Sequence, residues 1–294
     1  NVNRFPPRAG TESAGALTQT EVRTLAIEAI KVAKRTRAQV RKPLGSPAGE
    51  TVVITDTNGV VLAIVRTRDA LMDAVDVTTQ KARTAAFFSN PNAAADLLSI
   101  NQPIKFFNAT LGAGTVDLRT VATTSVPPYV AAFRSFLGQP NALADGLTAH
   151  SSRSIGLLER PLYPDGVPGT PPGPLSPPIE QWSLFNTGLQ LDLIYNQLAG
   201  SIAFYLQQLG LQVRVDGTAV TIPPPPAVRS CTGLPRINAG YTLFGGGVPI
   251  YRGNTLVGAV AASGDGTDQS DLVAFLGLSN ASAALGGSIG QAPK

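Results

Sequence analysis

TVVITDTNGVVLAIVRT, residues 51–67, is the stretch that decides the fold. Two runs of apolar, largely β-branched residues flank Asp56-Thr57-Asn58-Gly59. An Asn-Gly pair between apolar runs is a strong hairpin signal, because a type I′ turn needs positive φ at both of its central residues. The stretch therefore predicts strands near 51–56 and 60–67 that are joined by a type I′ turn.

A second patterned stretch, GGGVPIYRGNTLVGAVAASGDGTDQSD at 245–271, predicts another hairpin with strands at 248–251 and 255–261. Its glycines lack the Gly-Lys-Ser/Thr of a phosphate-binding loop, and their spacing does not fit a dinucleotide fingerprint. Asp265, Asp268 and Asp271 are also spaced unlike the ligands of an EF-hand loop. We interpret these acids as capping groups for a helix at 269–278, with Thr267 or Asp268 as the N-cap and calcium binding as the alternative.

Two helices are predicted around the first hairpin. Thr18 and Glu21 form a capping box, and apolar residues recur after it at helical spacing, so a helix should start there and end before Pro43. The segment 69–90 predicts a second helix that ends at Asn90-Pro91. Its predicted inner face is made of small residues that would pack close to the sheet, namely Leu71, Val75, Ala82, Ala85 and Ala86.

The middle of the chain, 91–235, has a different pattern. Helical pieces occur in AAADLLSI and PPYVAAFRSFLG, whereas the proline-rich run at 163–178 is incompatible with regular structure. The apolar segment 180–210 predicts one helix or a broken pair, and VRVDGTAVTI predicts a small hairpin. We interpret this region as a large insertion that wraps on the core, because a disordered linker would contain fewer apolar residues.

Composition excludes several classes of protein. Charged residues make up 14% of the 294 residues and the net charge is +4, without a basic block, which argues against nucleic acid as a partner. No apolar run is long enough to predict a membrane span. The single cysteine, Cys231, is interpreted as a buried or incidental thiol, with an intermolecular bridge as the alternative. The polar first residues, which lack Met, are typical of a mature end after signal-peptide removal, so we expect a periplasmic or extracellular protein.

Four motifs in order resemble the GlcG/HbpS-like haem-binding (haem-degrading) domain family: ALTQTEVRTLAIEAI, VVITDTNGVVLAIVRT, DVTTQKARTAAFF and GGVPIYRGNTLVGAVAASGDGTDQ. The resemblance implies an α+β, profilin-like fold, with an antiparallel sheet of about five strands and helices packed on it. It covers a discontinuous domain at 16–92 and 234–284. The expected remainder is an N-terminal flexible arm at 1–15, a helical and proline-rich insertion at 93–233 and a tail at 285–294.

The resemblance also implies haem as the cofactor and suggests residues that would bind it. Lys81 and Arg83 lie in the family's Lys-Ala-Arg-Thr-Ala run; one should face solvent, and the other should contact an acid or a haem propionate. The family's iron-ligating Thr corresponds to Asn92, and an amide is a poor iron ligand. Phe88 would line an apolar pocket or pack in the core.

His150, the only histidine, is the candidate for a metal ligand. The alternatives are a structural histidine and a catalytic base, and Met72 is expected to fill a gap between strand and helix rather than to serve as an axial partner. Glu159 and Asp165 flank the run RPLYPDG and are a candidate acid–base pair.

The expected function is that of an exported haem- or small-ligand-binding protein, with weak haem degradation as an additional activity. The alternative is a non-catalytic subunit of a homo-oligomeric or polymeric extracellular assembly, since family members form oligomers. A third hypothesis is an enzyme that acts on a small organic acid or a corrinoid. The sequence contains no cofactor fingerprint for this third function. Whether the chain is an enzyme stays open, with a protein that is not an enzyme as the favoured alternative.

Overall fold

The computed structural model describes residues 6–182, 187–225 and 230–293. Within them, the chain forms a mixed α/β structure with two four-stranded sheets, which confirms the predicted α+β class. The N-terminal part of the chain contains α1 (Gln19–Arg35), β1 (Thr51–Thr55), β2 (Val61–Arg66) and α2 (Ala74–Phe88). The C-terminal part contains β7 (Gly247–Arg252), β8 (Thr255–Ser263) and α7 (Thr267–Ala284).

The first sheet has the strand order β2-β1-β8-β7, and all its strand pairs are antiparallel. Both predicted hairpins are therefore confirmed, although the described sheet has four strands where about five were expected. The turn type of the first hairpin was wrong. Gly59 has a positive φ of 75°, whereas Asn58 does not. The Asp56 carboxylate accepts from the backbone N–H groups of Asn58 at 3.0 Å and Val60 at 2.8 Å, so this side chain shapes the turn instead.

Helices cover both faces of this sheet. The α1 helix begins at the predicted capping box, where Thr18 Oγ1 accepts from the Glu21 N–H at 3.2 Å. It packs beside α7, and Gly277 allows the close approach, since a Cβ there would lie 2.7 Å from the Cα of Ala29. On the other face, α2 packs through small residues as predicted, with Ala82, Ala85 and Ala86 buried against β1 and β8. Leu71 does not take part, because it is exposed and precedes the helix.

The segment between the N-terminal and C-terminal parts contains four helices and the second sheet. The helices are α3 (Ala93–Ser99), α4 (Pro127–Leu137), α5 (Ser152–Leu158) and α6 (Leu189–Gln208). The strands are β3 (Ile104–Gly112), β4 (Thr115–Thr124), β5 (Gln212–Val215) and β6 (Thr218–Ala219), in the order β3-β4-β5-β6. Single 3₁₀ turns occur at Ile179–Gln181 and Pro235–Ile237.

Much of this segment agrees with its sequence pattern. The helices α3, α4 and α6 and the small β5–β6 hairpin were predicted, and the described part of 163–178 forms no helix or strand. Residues 183–186 of the predicted 180–210 helix lie outside the described residues. The long β3–β4 hairpin was missed, so the segment is not only helical and proline-rich. Its core joins the end of α2, because Phe87 and Phe88 pack in the same cluster as Phe133 and Ile155.

Two peripheral segments lie along the outer strands of the first sheet. Arg8 donates its backbone N–H to the Leu62 carbonyl at 3.0 Å, and Thr11 Oγ1 donates to the Asp56 carboxylate at 2.6 Å. The described part of the expected flexible arm, 6–15, is therefore bound to its own chain. At the opposite edge, Gly290 and Tyr251 exchange two backbone hydrogen bonds of 2.8 Å. None of the described helices combines the length and the apolar character needed to cross a membrane.

Candidate functional site

Two depressions flank the segment 145–154, and we name them the cleft and the groove. The cleft is a small open space of about 300 Å³, and the groove is larger, at about 690 Å³. The cleft is lined mainly by polar residues: Thr57, Asn90, Pro91, Asn92, Asp145, Gly146, Asn254, Thr255 and Leu256. The groove has a more apolar wall: Ala149, Ser151, Arg153, Ser154, Val248, Pro249, Asp268, Asp271, Leu272, Phe275, Gln291 and Ala292.

His150 lies between the two depressions, on the segment that separates them. Its ring is buried and packs edge-on against Phe133, with 5.3 Å between the ring centroids. Its backbone N–H donates to Ser89 Oγ at 2.9 Å, which fastens the segment to the end of α2. The Nε2 atom finds no hydrogen-bond partner among the described residues. Burial lowers the pKa of His150 to about 4, although Asp145 acts in the opposite direction, so the ring is neutral near pH 7.

Tyr251 is a second buried group near the cleft, and no sequence pattern indicated it, because it lies in an apolar strand. Its hydroxyl is fully buried, and no hydrogen bond to it is formed within the described residues. Burial raises the pKa of Tyr251, the neighbouring Ser89 side chain lowers it, and the Asp145 carboxylate has a smaller effect that raises it. Asp145 lines the cleft and acts on the pKa of both His150 and Tyr251. Two buried polar groups, the His150 ring and the Tyr251 hydroxyl, therefore lie near one wall of the cleft.

Asn92 is the only predicted site residue that lines the cleft. It is exposed, and it immediately precedes α3 without capping that helix through its side chain. Its backbone N–H donates to Asn90 Oδ1 at 2.9 Å. Its side-chain amide makes no capping hydrogen bond to the helix. An amide offers both a donor and an acceptor, so the position suits a polar group of a ligand better than an iron ion.

Lys81 is buried and Arg83 is half-buried, and both donate hydrogen bonds to protein groups. The Lys81 ammonium donates to the Ala262 carbonyl and to Ser263 Oγ, each at 3.1 Å. Arg83 donates from Nε to the Gly59 carbonyl at 2.8 Å and from Nη1 to Asn238 Oδ1 at 3.2 Å. The two side chains thus stabilise strand and turn positions, and neither lines the cleft or the groove.

Lys81 shares a buried polar pocket with Glu50, a residue that the sequence analysis missed. Burial raises the pKa of Glu50 to about 7 and lowers the pKa of Lys81 to about 8, while the attraction between the two groups opposes both shifts. Ser270 donates to the Glu50 carboxylate at 3.3 Å. The pair joins α2 to the start of β1, and its members are 31 positions apart in sequence, so no local spacing reveals them.

Phe88 lies in the core of the middle segment. It is 1% exposed and makes edge-on ring contacts with Phe87 and Tyr241, at centroid distances of 5.3 and 5.1 Å. It lines neither depression, so its observed environment matches the core-packing alternative. Phe88 supports the site indirectly, because Ser89, the next residue, holds the His150 segment.

The three acids of the glycine-rich stretch bind protein groups, and none of them caps α7 through its side chain. Asp265 accepts from Arg41 and from the Gly49 N–H at 2.6 Å. Arg153 pairs with Asp268 at 2.7 Å and with Asp271. The predicted capping role was therefore wrong. Within the described part of the chain, no group of three or more His, Cys, Asp and Glu residues is arranged to hold a metal ion.

The residues present fit a haem group in three respects. The groove has a volume within the usual 300–1,000 Å³ of ligand pockets, and Val248, Pro249, Leu272 and Phe275 give it an apolar wall. Arg153 at its edge is a cation of the kind that carboxylates bind well, although a propionate would have to displace Asp268 or Asp271 from it. The neutral His150 imidazole, with its unpaired Nε2, is the protonation state that haem iron requires. The His150 ring lines neither depression, so coordination requires the segment 145–151 to move.

A family model described as "Haem degrading protein HbpS-like" matches residues 25–124. The resemblance predicted from the sequence is confirmed over this part of the chain, which extends through the β3–β4 hairpin. No curated protein matches the sequence significantly.

Two solved structures are similar to the chain at 14% identity. One is the crystal structure of a PduOC:heme complex, with 90% of this chain and 93% of that chain covered and a TM-score of 0.34. The other is Klebsiella pneumoniae protein ORFY, of the DUF336 family model, with 96% and 98% covered and a TM-score of 0.40.

Proposed function

We propose that this chain, whose residues 25–124 match the haem-degrading HbpS-like model, is a haem- or small-ligand-binding protein. The observation that carries the proposal is the unpaired, neutral Nε2 of its single histidine between two depressions. A buried polar atom without a partner costs about 1–3 kcal/mol, so it needs an explanation. A ligand that binds this atom supplies one.

The roles of the residues follow from their positions. His150 would hold the haem iron, the apolar wall of the groove would cover the ring, and Arg153 would pair with a propionate. When bound, haem supplies an iron centre that can take part in redox chemistry. Asn92 would hydrogen-bond a polar ligand in the cleft. We also propose that the protein works outside the cytoplasm, in keeping with its low charge and single cysteine.

A haemin titration tests this function. We expect the visible spectrum of the wild-type protein to show a saturable Soret shift at one haemin per chain. His150→Ala should abolish the shift, and Arg153→Gln should weaken the affinity about tenfold. Arg119→Gln, an exposed arginine on β4, is the matched control and should bind as the wild type does. Far-UV circular dichroism should show that each variant is folded.

Two outcomes contradict this function. The first is a Soret shift no larger than that of an unrelated protein. The second is a folded His150→Ala variant that binds haemin as tightly as the wild type, since haem would then be held without the histidine.

A second candidate function, a subunit of a homo-oligomeric assembly, is favoured by the outer face of α6. Residues 193–208 contain no Asp, Glu, Lys or Arg. Leu198, Ile202 and Tyr205, spaced as neighbours on one helix face, are each about half exposed, with Ile202 at 52%. An uncharged helix of this kind is normally covered.

Light scattering tests the assembly. We expect a mass above 30.4 kDa for the wild type and a lower mass for Ile202→Glu at the same concentration. Leu147→Glu, which alters an exposed apolar residue in a loop, is the control and should not change the mass. A wild type that is monomeric at all concentrations would rule out the assembly.

A further inference from the structure

We propose that two copies of this chain associate through a two-fold interface next to Arg66. The inference adds a second interface to the assembly proposed through the outer face of α6, and it rests on that assembly. Each copy would contribute a basic groove between α1 and β2, and an acidic segment at 69–76 that precedes and begins α2. The acidic segment of one copy would bind in the basic groove of the other.

The basic groove has a volume of about 810 Å³ and combines cations with an apolar floor. Arg23 and Lys34 are exposed on α1, and neither forms a salt bridge within the described residues. The floor includes Ile27 and Ile30 of α1 and Val65 of β2. A partner that fits this groove should carry both carboxylates and apolar side chains.

The acidic segment has that chemistry. Asp69, Asp73 and Asp76 are exposed, and none of them has a cation partner among the described residues. Leu71 is exposed between them, and Met72 is 75% exposed, so the expectation that Met72 fills a gap in the core was wrong. The segment therefore presents two apolar side chains among three unpaired carboxylates.

Arg66 connects the two surfaces. It lines the basic groove and donates to Met72 Sδ at 3.0 Å and to the Ala70 carbonyl, both in the acidic segment. Its own Nε is buried without a partner within the described part of the chain. The basic and the acidic surfaces are therefore adjacent, on one side of the molecule.

This adjacency is the requirement for a two-fold dimer. A two-fold interface uses the same patch on both copies, so the patch must complement itself after rotation. With an axis beside Arg66, each acidic segment meets the other copy's basic groove, and two equivalent sets of charge pairs form.

Charge reversal tests the interface on the full-length chain. Asp73→Lys/Asp76→Lys changes the acidic segment, and Arg23→Glu/Lys34→Glu changes the basic groove. We expect light scattering to show an assembly larger than a dimer for the wild type and about half of that mass for each double variant alone, because the α6 interface stays intact. All four positions are exposed, and circular dichroism should confirm that both variants fold. A reversed pair elsewhere, Asp117→Lys/Arg119→Glu on β4, is the control and should leave the dimer intact.

Mixing the two double variants separates charge pairing from general damage. In the mixed dimer, both contacts again join a basic surface to an acidic one, so the wild-type mass should return. If the mass of the mixture stays at that of each double variant alone, the interface is wrong. A wild type that is monomeric at all concentrations overturns both the interface and the assembly. If the wild type is an oligomer and both double variants have the same mass as the wild type, only the interface is overturned. A monomer that sediments with anionic lipid vesicles through Arg23 and Lys34 would identify a membrane partner instead.

Discussion

The His150 side chain is buried, and its Nε2 atom has no hydrogen-bond partner among the described residues. Its backbone is fixed through Ser89, and its ring packs edge-on against Phe133. This arrangement favours the neutral ring, because burial penalises the charged form. The residue thus differs from a surface histidine in a way that can be measured directly.

We predict that the imidazole proton signals of His150 do not titrate between pH 5.5 and 8. Burial lowers the pKa of the folded state to about 4, below the ordinary value of about 6.5. Nuclear magnetic resonance is decisive here, because the chain contains a single histidine. After unfolding in urea, the same signals should titrate near pH 6.5. A midpoint near 6.5 in the folded protein would show that the ring is exposed to solvent.

Gly247 shows how a glycine can be required for space alone. A Cβ at this position would overlap the carbonyl oxygen of Lys81, and it would lie 3.0 Å from Ser152 Oγ. The backbone of Gly247 does not have a positive φ, so the requirement is not conformational. The glycine run at 245–247 therefore lets β7 approach α2, rather than bind a phosphate.

We predict that Gly247→Ala lowers the free energy of unfolding by roughly 1–3 kcal/mol, the usual cost of overpacking. Gly200→Ala is the matched control, because a Cβ there meets nothing within 4 Å. In the α6 helix it should raise the free energy of unfolding by up to about 1 kcal/mol, since alanine favours helix. Urea denaturation measures both values. Equal effects of the two substitutions would contradict the role of packing at Gly247.

At the scale of elements, the start of α6 depends on a carboxylate from another helix. Its N-cap, Gly188, has no side chain, and Glu159 at the end of α5 accepts from the Gln190 N–H at 2.9 Å. Tyr241 also donates to Glu159, and burial raises the pKa of Glu159 well above its usual range. Asp192 lies in the first turn of α6 and accepts from Tyr129 at 2.8 Å. These contacts join α4, α5 and α6.

We predict that Asp192→Asn becomes stabilising relative to the wild type as the pH rises. Burial raises the pKa of Asp192 to about 6, so the folded state binds its proton more tightly than the unfolded state does. The stability from this proton is complete below about pH 3.8 and is lost as the pH rises through about 6. The difference between variant and wild type should grow by on the order of 1–3 kcal/mol.

Urea denaturation at pH 4.5 and pH 7.5 measures this change. Comparing the variant with the wild type at each pH cancels the contribution of other groups, including His150. A difference that is the same at both pH values would mean that Asp192 does not titrate with the expected shift.

Helices and strands that depend on residues close together in the sequence were predictable from it. The capping box at Thr18 and the two hairpins of the first sheet depend on residues a few positions apart. The β3–β4 hairpin was missed because both of its strands are largely exposed, so apolar and polar residues do not alternate along them. The turn type of the first hairpin was misassigned because the Asp56 side chain accepts hydrogen bonds from the backbone N–H groups of Asn58 and Val60.

The candidate site was predictable only where rarity or family position singled out a residue. His150 stood out as the only histidine, and Asn92 stood out from its place after the second helix. Glu50, Asp192 and Tyr251 have partners that are distant in sequence, so no spacing indicated their burial. Glu159 was paired with Asp165 in the sequence, whereas the structure buries Glu159 beside Tyr241 and Gln190.

At the scale of the whole molecule, two hydrophobic cores share one helix. The small residues of α2 pack on the first sheet, and Phe87 and Phe88 at its end pack in the core of the middle segment. The two cores are therefore connected by a rigid element rather than by a linker. Cooperative unfolding of the whole chain is the expected consequence.

We predict that Trp182 fluorescence and far-UV circular dichroism give coincident unfolding curves. Trp182, the only tryptophan, reports on the middle segment, whereas circular dichroism reports on all helices. Phe88→Ala should lower the free energy of unfolding by about 3–5 kcal/mol and shift both curves together. Phe136→Ala, which alters a side chain that is 45% exposed, is the control and should have a smaller effect. An earlier fluorescence transition would show that the two cores unfold separately.

The two peripheral segments that flank the first sheet have a practical consequence. Arg8 lies against the outer edge of β2, and Gly290 lies against the outer edge of β7. Proteolytic trimming of either segment would uncover strand backbone that can pair with another molecule. Stored samples should therefore become turbid in step with clipping at these segments, while the folded core is still intact. Affinity tags are best separated from both segments by a flexible spacer, and mass spectrometry of aged material is a better test of quality than a melting curve.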